Sequence, residues 1–89
     1  MDNRSEEKHV LARQEQWVAG MRLCYRLEAD GGYRIVAESR NGEARACLGD
    51  DFSFAWECFC RVTRGSVLPE TLEDVCEDLL DLDARAAAL

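Results

Sequence analysis

Seven carboxylates and no Lys or Arg fall between Leu68 and Asp83, in the stretch LPETLEDVCEDLLDLD. Carboxylates this dense can share a proton in acid–base work, ligate a hard cation, or offer negative charge to a basic surface. Acid–base work needs a cleft that shifts the pKa of one member, and these residues fall on the convex side of a helical pattern. Calcium binding would call for an Asp-x-Asp-x-Asp-Gly loop, which is absent. The third use remains, and its candidate residues are Glu70, Glu73, Asp74, Glu77, Asp78 and Asp81.

Other reactive groups are sparse. His9 is the single histidine and sits in a polar segment, where a solvated surface role is expected. Gly31-Gly32 is too short for a phosphate-cradling loop and no helix follows it. The five cysteines are Cys24, Cys47, Cys58, Cys60 and Cys76. An odd count with no secretion signal argues against a disulfide framework and for a cytoplasmic chain with reduced thiols in its core. Only Cys58 and Cys60 approach the spacing of a zinc knuckle. They lie two apart in a helical pattern, about 200° round the axis, so they diverge from any common ion. No catalytic residue, cofactor or metal is expected, and the chain reads as a non-enzyme.

Composition points the same way. Eighty-nine residues make one small domain, and a 47% hydrophobic content is that of a globular chain. No apolar run approaches the roughly 20 residues that span a bilayer, so no membrane partner is expected. Residues 1–49 carry eight acids and eight bases, whereas residues 50–89 carry ten acids against Arg61, Arg64 and Arg85. The whole net charge of −7 belongs to the second half. Binding to nucleic acid relies on neutralising phosphates, which this balance disfavours.

The elements that must position the acids follow from periodicity. Residues 1–17 form a polar segment, helical or disordered, with Ser5 as a candidate N-cap and Val10, Leu11, Trp17 and Val18 as a thin stripe. The domain proper covers 18–83. From Met21 the apolar period becomes two, and YRIVAES and EARACL continue it. The three-residue loop Asp30-Gly31-Gly32 pairs Leu27 with Ile35 and Tyr25 with Ala37. The dipeptide Asn41-Gly42 predicts a two-residue turn that pairs Glu38 with Arg45, Ala37 with Ala46 and Ile35 with Leu48. One sheet face then carries Tyr25, Leu27, Ile35, Ala37, Ala46 and Leu48.

Two helices should cover that face. The first starts at Asp50 or Asp51 and ends at Gly65, with Phe52, Ala55, Trp56, Phe59 and Val62 or Thr63 as its stripe. Phe54 and Cys58 lie off that stripe, which suggests a central helix gripped on two sides. The second opens at Pro69, and Leu72, Val75, Cys76 and Leu79 are its apolar side. Residues 84–89 are a short tail. The expected fold is α+β: a three-stranded antiparallel meander with two C-terminal helices on one face and a short N-terminal helix.

The segments YRLEADGGYRIVAES and VLPETLEDVCEDLLD resemble a family of short clostridial proteins classed as a domain of unknown function. The likeness covers roughly Met21 to Leu82, and its closing motif Pro-x-x-Leu-x-Asp-Val-x-x-Asp-hydrophobic corresponds to Pro69, Leu72, Asp74, Val75, Asp78 and Leu79. Where that family has glycine after the tyrosine of its second strand, this chain has Arg34. The resemblance implies a bacterial protein and this fold, and no activity.

Function is therefore sought in contacts. Like charges at i,i+4, such as Glu70 with Asp74 and Glu73 with Glu77, each cost a few tenths of a kcal/mol. The acidic face is either a solvated surface or the docking face of a protein-interaction or regulatory module whose partner carries a basic surface. A phage-type inhibitor that mimics nucleic acid is the alternative. A homodimer through an edge strand or Trp17 is the other partner considered.

Overall fold

A computed structural model describes residues 9–88, with side chains as far as 85. Four strands run β1 (His9–Val18), β2 (Met21–Ala29), β3 (Tyr33–Ser39) and β4 (Gly42–Gly49), followed by helices α1 (Phe52–Arg64) and α2 (Pro69–Ala88). The strands form one antiparallel sheet in the order β1-β2-β3-β4, so the chain is α+β. Both helices pack on one face of the sheet, and α2 lies along β4. The whole is a slab of 41 × 41 × 17 Å.

The meander has one strand more than expected. Residues 9–18 form a strand where the apolar spacing suggested a helix, and Ser5 lies outside the described residues. The two-residue alternation of β1 is hard to see because its sheet-inward positions are Ala12, Gln14, Gln16 and Val18. Two of these are glutamines, and Gln16 is held by polar partners: its Nε2 donates to the Thr63 carbonyl at 2.9 Å and to the Ser66 hydroxyl at 2.8 Å. The turn to β2 is Ala19-Gly20, at φ +52° and +79°. Such left-handed φ values match the twist of a tight hairpin, but alanine rarely supplies the first of them.

The β2–β3 hairpin has the expected register, with Glu28 opposite Arg34, Leu27 opposite Ile35 and Tyr25 opposite Ala37. Gly31 takes φ +71° in that loop, which a side chain would strain. The β3–β4 hairpin differs. Ser39 faces Gly42, so the loop is Arg40-Asn41, and Ile35 meets Ala46 rather than Leu48. Positive φ falls on Gly42 (+148°) instead of on both turn residues, and the Ser39 hydroxyl accepts from the Asn41 amide at 3.1 Å. The register slips by two residues. Because the side-chain period is also two, every residue keeps its face, and Tyr25, Leu27, Ile35, Ala37, Ala46 and Leu48 are all buried.

Helix α1 is capped by Asp51, whose carboxylate accepts from the Phe54 amide at 3.3 Å. Its buried side is Ala55, Cys58, Phe59, Val62 and Thr63. Phe52 and Trp56, expected in the stripe, are 47% and 44% exposed, and Cys58, expected off it, is buried. The small Ala55 and Cys58 sit where the helix approaches its neighbours, and the large rings go to the flank. There Phe52 stacks on Trp56 and meets Tyr33 edge-on, at centroid distances of 6.2 and 5.7 Å. The helix is thus not enclosed on all sides. Gly65 ends it in a right-handed conformation, and the left-handed residue is Ser66 at φ +51°. Helix α2 runs on through residues expected to be a tail, to Ala88.

If residues 9–18 are a strand closed by a left-handed turn, Ala19→Asn relieves that turn. It should raise stability by about 1 kcal/mol, measured by urea denaturation. A loss of stability would mean that no such turn forms.

Candidate functional site: an acidic helix face beside a balanced sheet

Helix α2 is positioned by what it buries. Leu72 and Cys76 are fully enclosed against the sheet, and Val75 and Leu79 are partly buried beside them. The Tyr25 hydroxyl donates to the Val67 carbonyl at 2.8 Å, which ties the connection before Pro69 to β2. With that side fixed, Glu70, Glu73, Asp74, Glu77, Asp78 and Asp81 are all exposed. At 100° per residue they fall within an arc of about 140°, along about 16 Å of helix. Glu73 and Glu77 flank a hollow between α2 and β4 that is also lined by Arg45, Cys47 and Leu80.

The sheet treats its own carboxylates differently. Its face away from the helices carries Arg13, Arg22, Arg26, Arg34 and Arg45 among Glu15, Glu28, Glu38 and Glu43, placed there by the strand registers. Glu28 is only 1% exposed. Arg26 and Arg34 each donate to it through Nε, at 2.8 and 2.9 Å. Arg26 also reaches Glu38 at 3.5 Å, Arg45 holds Glu43 at 3.1 Å, and Arg22 pairs with Glu15. The facing pair Glu38–Glu43, which the two-residue slip creates, is relieved by Arg26 between them. Burial lowers and its acidic neighbours raise the Arg26 pKa; the hydrogen bond to Glu28 dominates, so it ends up raised.

Among the described residues the one such pair on α2 is Arg85 with Asp81, at 2.9 Å. Among the described residues no cation stands within ion-pairing distance of Glu70, Glu73, Asp74, Glu77 or Asp78. The other residues singled out from the sequence are scattered. His9 is exposed at the start of β1, Trp17 is 67% exposed on the sheet's outer face, and Phe54 is half-buried against the core.

The thiols divide by face. Cys58 and Cys76 are buried between the helices and the sheet, whereas Cys24 is half-buried and Cys47 exposed on the outer sheet face. Cys47 is therefore not a core thiol as expected. Cys58 is buried while Cys60, two residues on, is half-buried, as their divergence on the helix requires. Among the described residues no three His, Cys, Asp or Glu side chains are grouped to hold a metal ion. Among the described residues no helix is long and apolar enough to cross a membrane.

The chain matches no family model, no curated protein and no solved structure.

Two predictions follow from the way α2 is seated. Leu72→Ala empties a fully enclosed position and should cost about 2–5 kcal/mol of stability, whereas Glu77→Lys should change the thermal midpoint little, since it removes a like-charge neighbour. The second concerns the thiols. Burial pushes Cys58 from 9.0 up to about 12 and Cys76 up to about 11. Their protonated state supports folding fully below pH 9. As pH rises from there toward 11–12 the unfolded chain ionises first, and stability falls. Denaturant midpoints measured from roughly pH 8 to 10.5 should decline, and more gently in Cys58→Ala than in the wild type.

Proposed function

We propose that this protein is a non-catalytic contact module whose α2 carboxylates dock a cationic surface on a partner protein. One observation carries the reading. The chain pairs the carboxylates of its sheet with arginines, yet among the described residues five of the six on the helix face have no such partner. The like-charge crowding on α2 costs a few tenths of a kcal/mol per pair, and a partner supplying Lys or Arg would reverse its sign. Such a face speeds encounter with a basic surface and makes the complex salt-sensitive.

A second reading is favoured by the charge density. Six carboxylates along about 16 Å approach the phosphate spacing of one nucleic-acid strand, about 3.4 Å per charge. The partner would then be a nucleic-acid-binding protein whose groove the helix occupies.

The test is quantitative capture from a native lysate with wild type and with the double variant Glu73→Lys/Glu77→Lys, at about 50 and about 300 mM salt. The expected partner is a protein with a basic surface, retained by wild type at low salt and lost both from the variant and at high salt. Competition by short DNA would identify the mimic. Identical capture by wild type and variant would reduce the acidic face to a solvated surface.

A further inference from the structure

Strand β1 lies at the edge of the sheet, with β2 on one side and none of the described strands on the other. Its outward backbone groups are a template for another strand. Three of the large exposed apolar side chains belong to it: Val10 at 38%, Leu11 at 46% and Trp17 at 67%. Edge strands are usually guarded against pairing by charges and bulges. β1 has a bulge between Val10 and Ala12, and its charges are Arg13 and Glu15, of opposite sign and two residues apart on one face.

That arrangement selects a partner. When a strand pairs antiparallel with its own copy about a twofold axis normal to the sheet, facing residues share a side of the sheet, so their numbers sum to an even value. A twofold at Arg13 sets Arg13 against the partner's Arg13. A twofold at Glu15 sets Glu15 against the partner's Glu15. A twofold at Gln14 sets Arg13 against the partner's Glu15 twice over, and brings Leu11 against the partner's Trp17 at each end. Arg13 is exposed and has no ion-pair partner among the described residues. Glu15, held by Arg22, keeps half of its side-chain surface open to a second cation. On the helix side of the sheet, Gln14 would face the partner's Gln14, amide to amide, where the Gln14 side chain is exposed and bonded to Gln16.

We propose that the protein self-associates through β1, antiparallel and centred on Gln14, to form an eight-stranded sheet from two copies. Like-charge registers are excluded by the same two residues that favour this one. Opposite β1, the edge strand β4 is flanked by α2, and its own opposite charges, Glu43 and Arg45, already pair with each other, Glu43 also lying beside Arg26.

The experiment is a charge swap read by sedimentation equilibrium up to about 1 mM protein, with circular dichroism to verify the fold of each variant. Wild type is expected at twice the chain mass. Arg13→Glu and Glu15→Arg should each weaken association at least about tenfold, because each creates like-charge pairs across the junction. The double variant Arg13→Glu/Glu15→Arg should restore it. In a Trp56→Phe background, Trp17 fluorescence should shift to the blue as the dimer forms. A wild type that stays monomeric throughout, a dimer indifferent to Arg13→Glu, or a double variant that fails to recover would each overturn the proposal.

Discussion

One constraint organises this molecule: a single layer of helices can cover only one face of a four-stranded sheet, and the other face must satisfy itself against water. Under the helices the solution is apolar, with Leu23, Tyr25, Leu27, Ile35, Ala37 and Leu48 nearly or wholly enclosed. On the open face it is a lattice of arginine and glutamate. Two residues there are as buried as the core with neither α1 nor α2 above them. Val36 is 1% exposed because it lies between Arg26 and Arg45, whose aliphatic stems can roof it. Glu28 is equally enclosed, and it is tolerated because two guanidinium groups replace the water it gave up. Arg26 serves both, so removing that one side chain would uncover a valine and strip a buried carboxylate of a partner.

The same constraint decides where uncompensated charge ends up. Five arginines of the first half are placed on the open sheet face, where they balance its carboxylates. One of them, Arg45, also borders the hollow beside Glu73 and Glu77 without pairing with either. Of the three arginines of the second half, Arg61 is paired with Glu57 and Arg85 with Asp81, and exposed Arg64 at the end of α1 has no carboxylate within ion-pairing distance among the described residues. The helix side therefore keeps its acid. With a screening length of about 8 Å at physiological salt and a slab 17 Å thick, the balanced far face does little to soften that field. The asymmetry seen in the sequence as a difference between halves becomes, in space, a difference between faces.

How much of this was legible depends on whether a residue's role is local. The β2–β3 hairpin was readable because Asp30-Gly31-Gly32 permits a loop that keeps both apolar faces in phase. The acidic side of α2 was readable because 3.6-residue periodicity separates Leu72, Cys76 and Leu79 from every carboxylate of the candidate face. β1 was hidden for the opposite reason. Two of its four inward positions are glutamines, and Gln16 finds partners in Thr63 and Ser66, about fifty residues away; no local pattern announces a polar contact at that range. The turn lies one residue earlier than expected, at Arg40-Asn41, because Gly42 supplies its positive φ from the strand side, and this shifts the register by two. The error was harmless to the core but consequential outside it: it replaced an expected Glu38–Arg45 pair by Glu38 facing Glu43, and so made Arg26 a shared partner. Of the outer-face arginine lattice only Glu28 opposite Arg34 was legible, since the rest exists only once all three registers are known.

The two proposed contact surfaces lie at opposite margins, and this affects what either can do. α2 runs along β4, and β1 is three strands away. At about 4.8 Å per strand, joining two copies through β1 would set their β4 strands about 34 Å apart. An axis normal to the sheet keeps both helical layers on the same side. Each acidic face would remain open and both would point the same way, so a dimer could grip two cationic patches on one extended partner. Avidity of that kind multiplies weak, salt-sensitive contacts without adding a new one, provided that the spacing of the patches matches. A monomer has only the single face. The glutamine-lined strand that the sequence disguised as a polar tail would then determine how many acidic helices reach the partner at once.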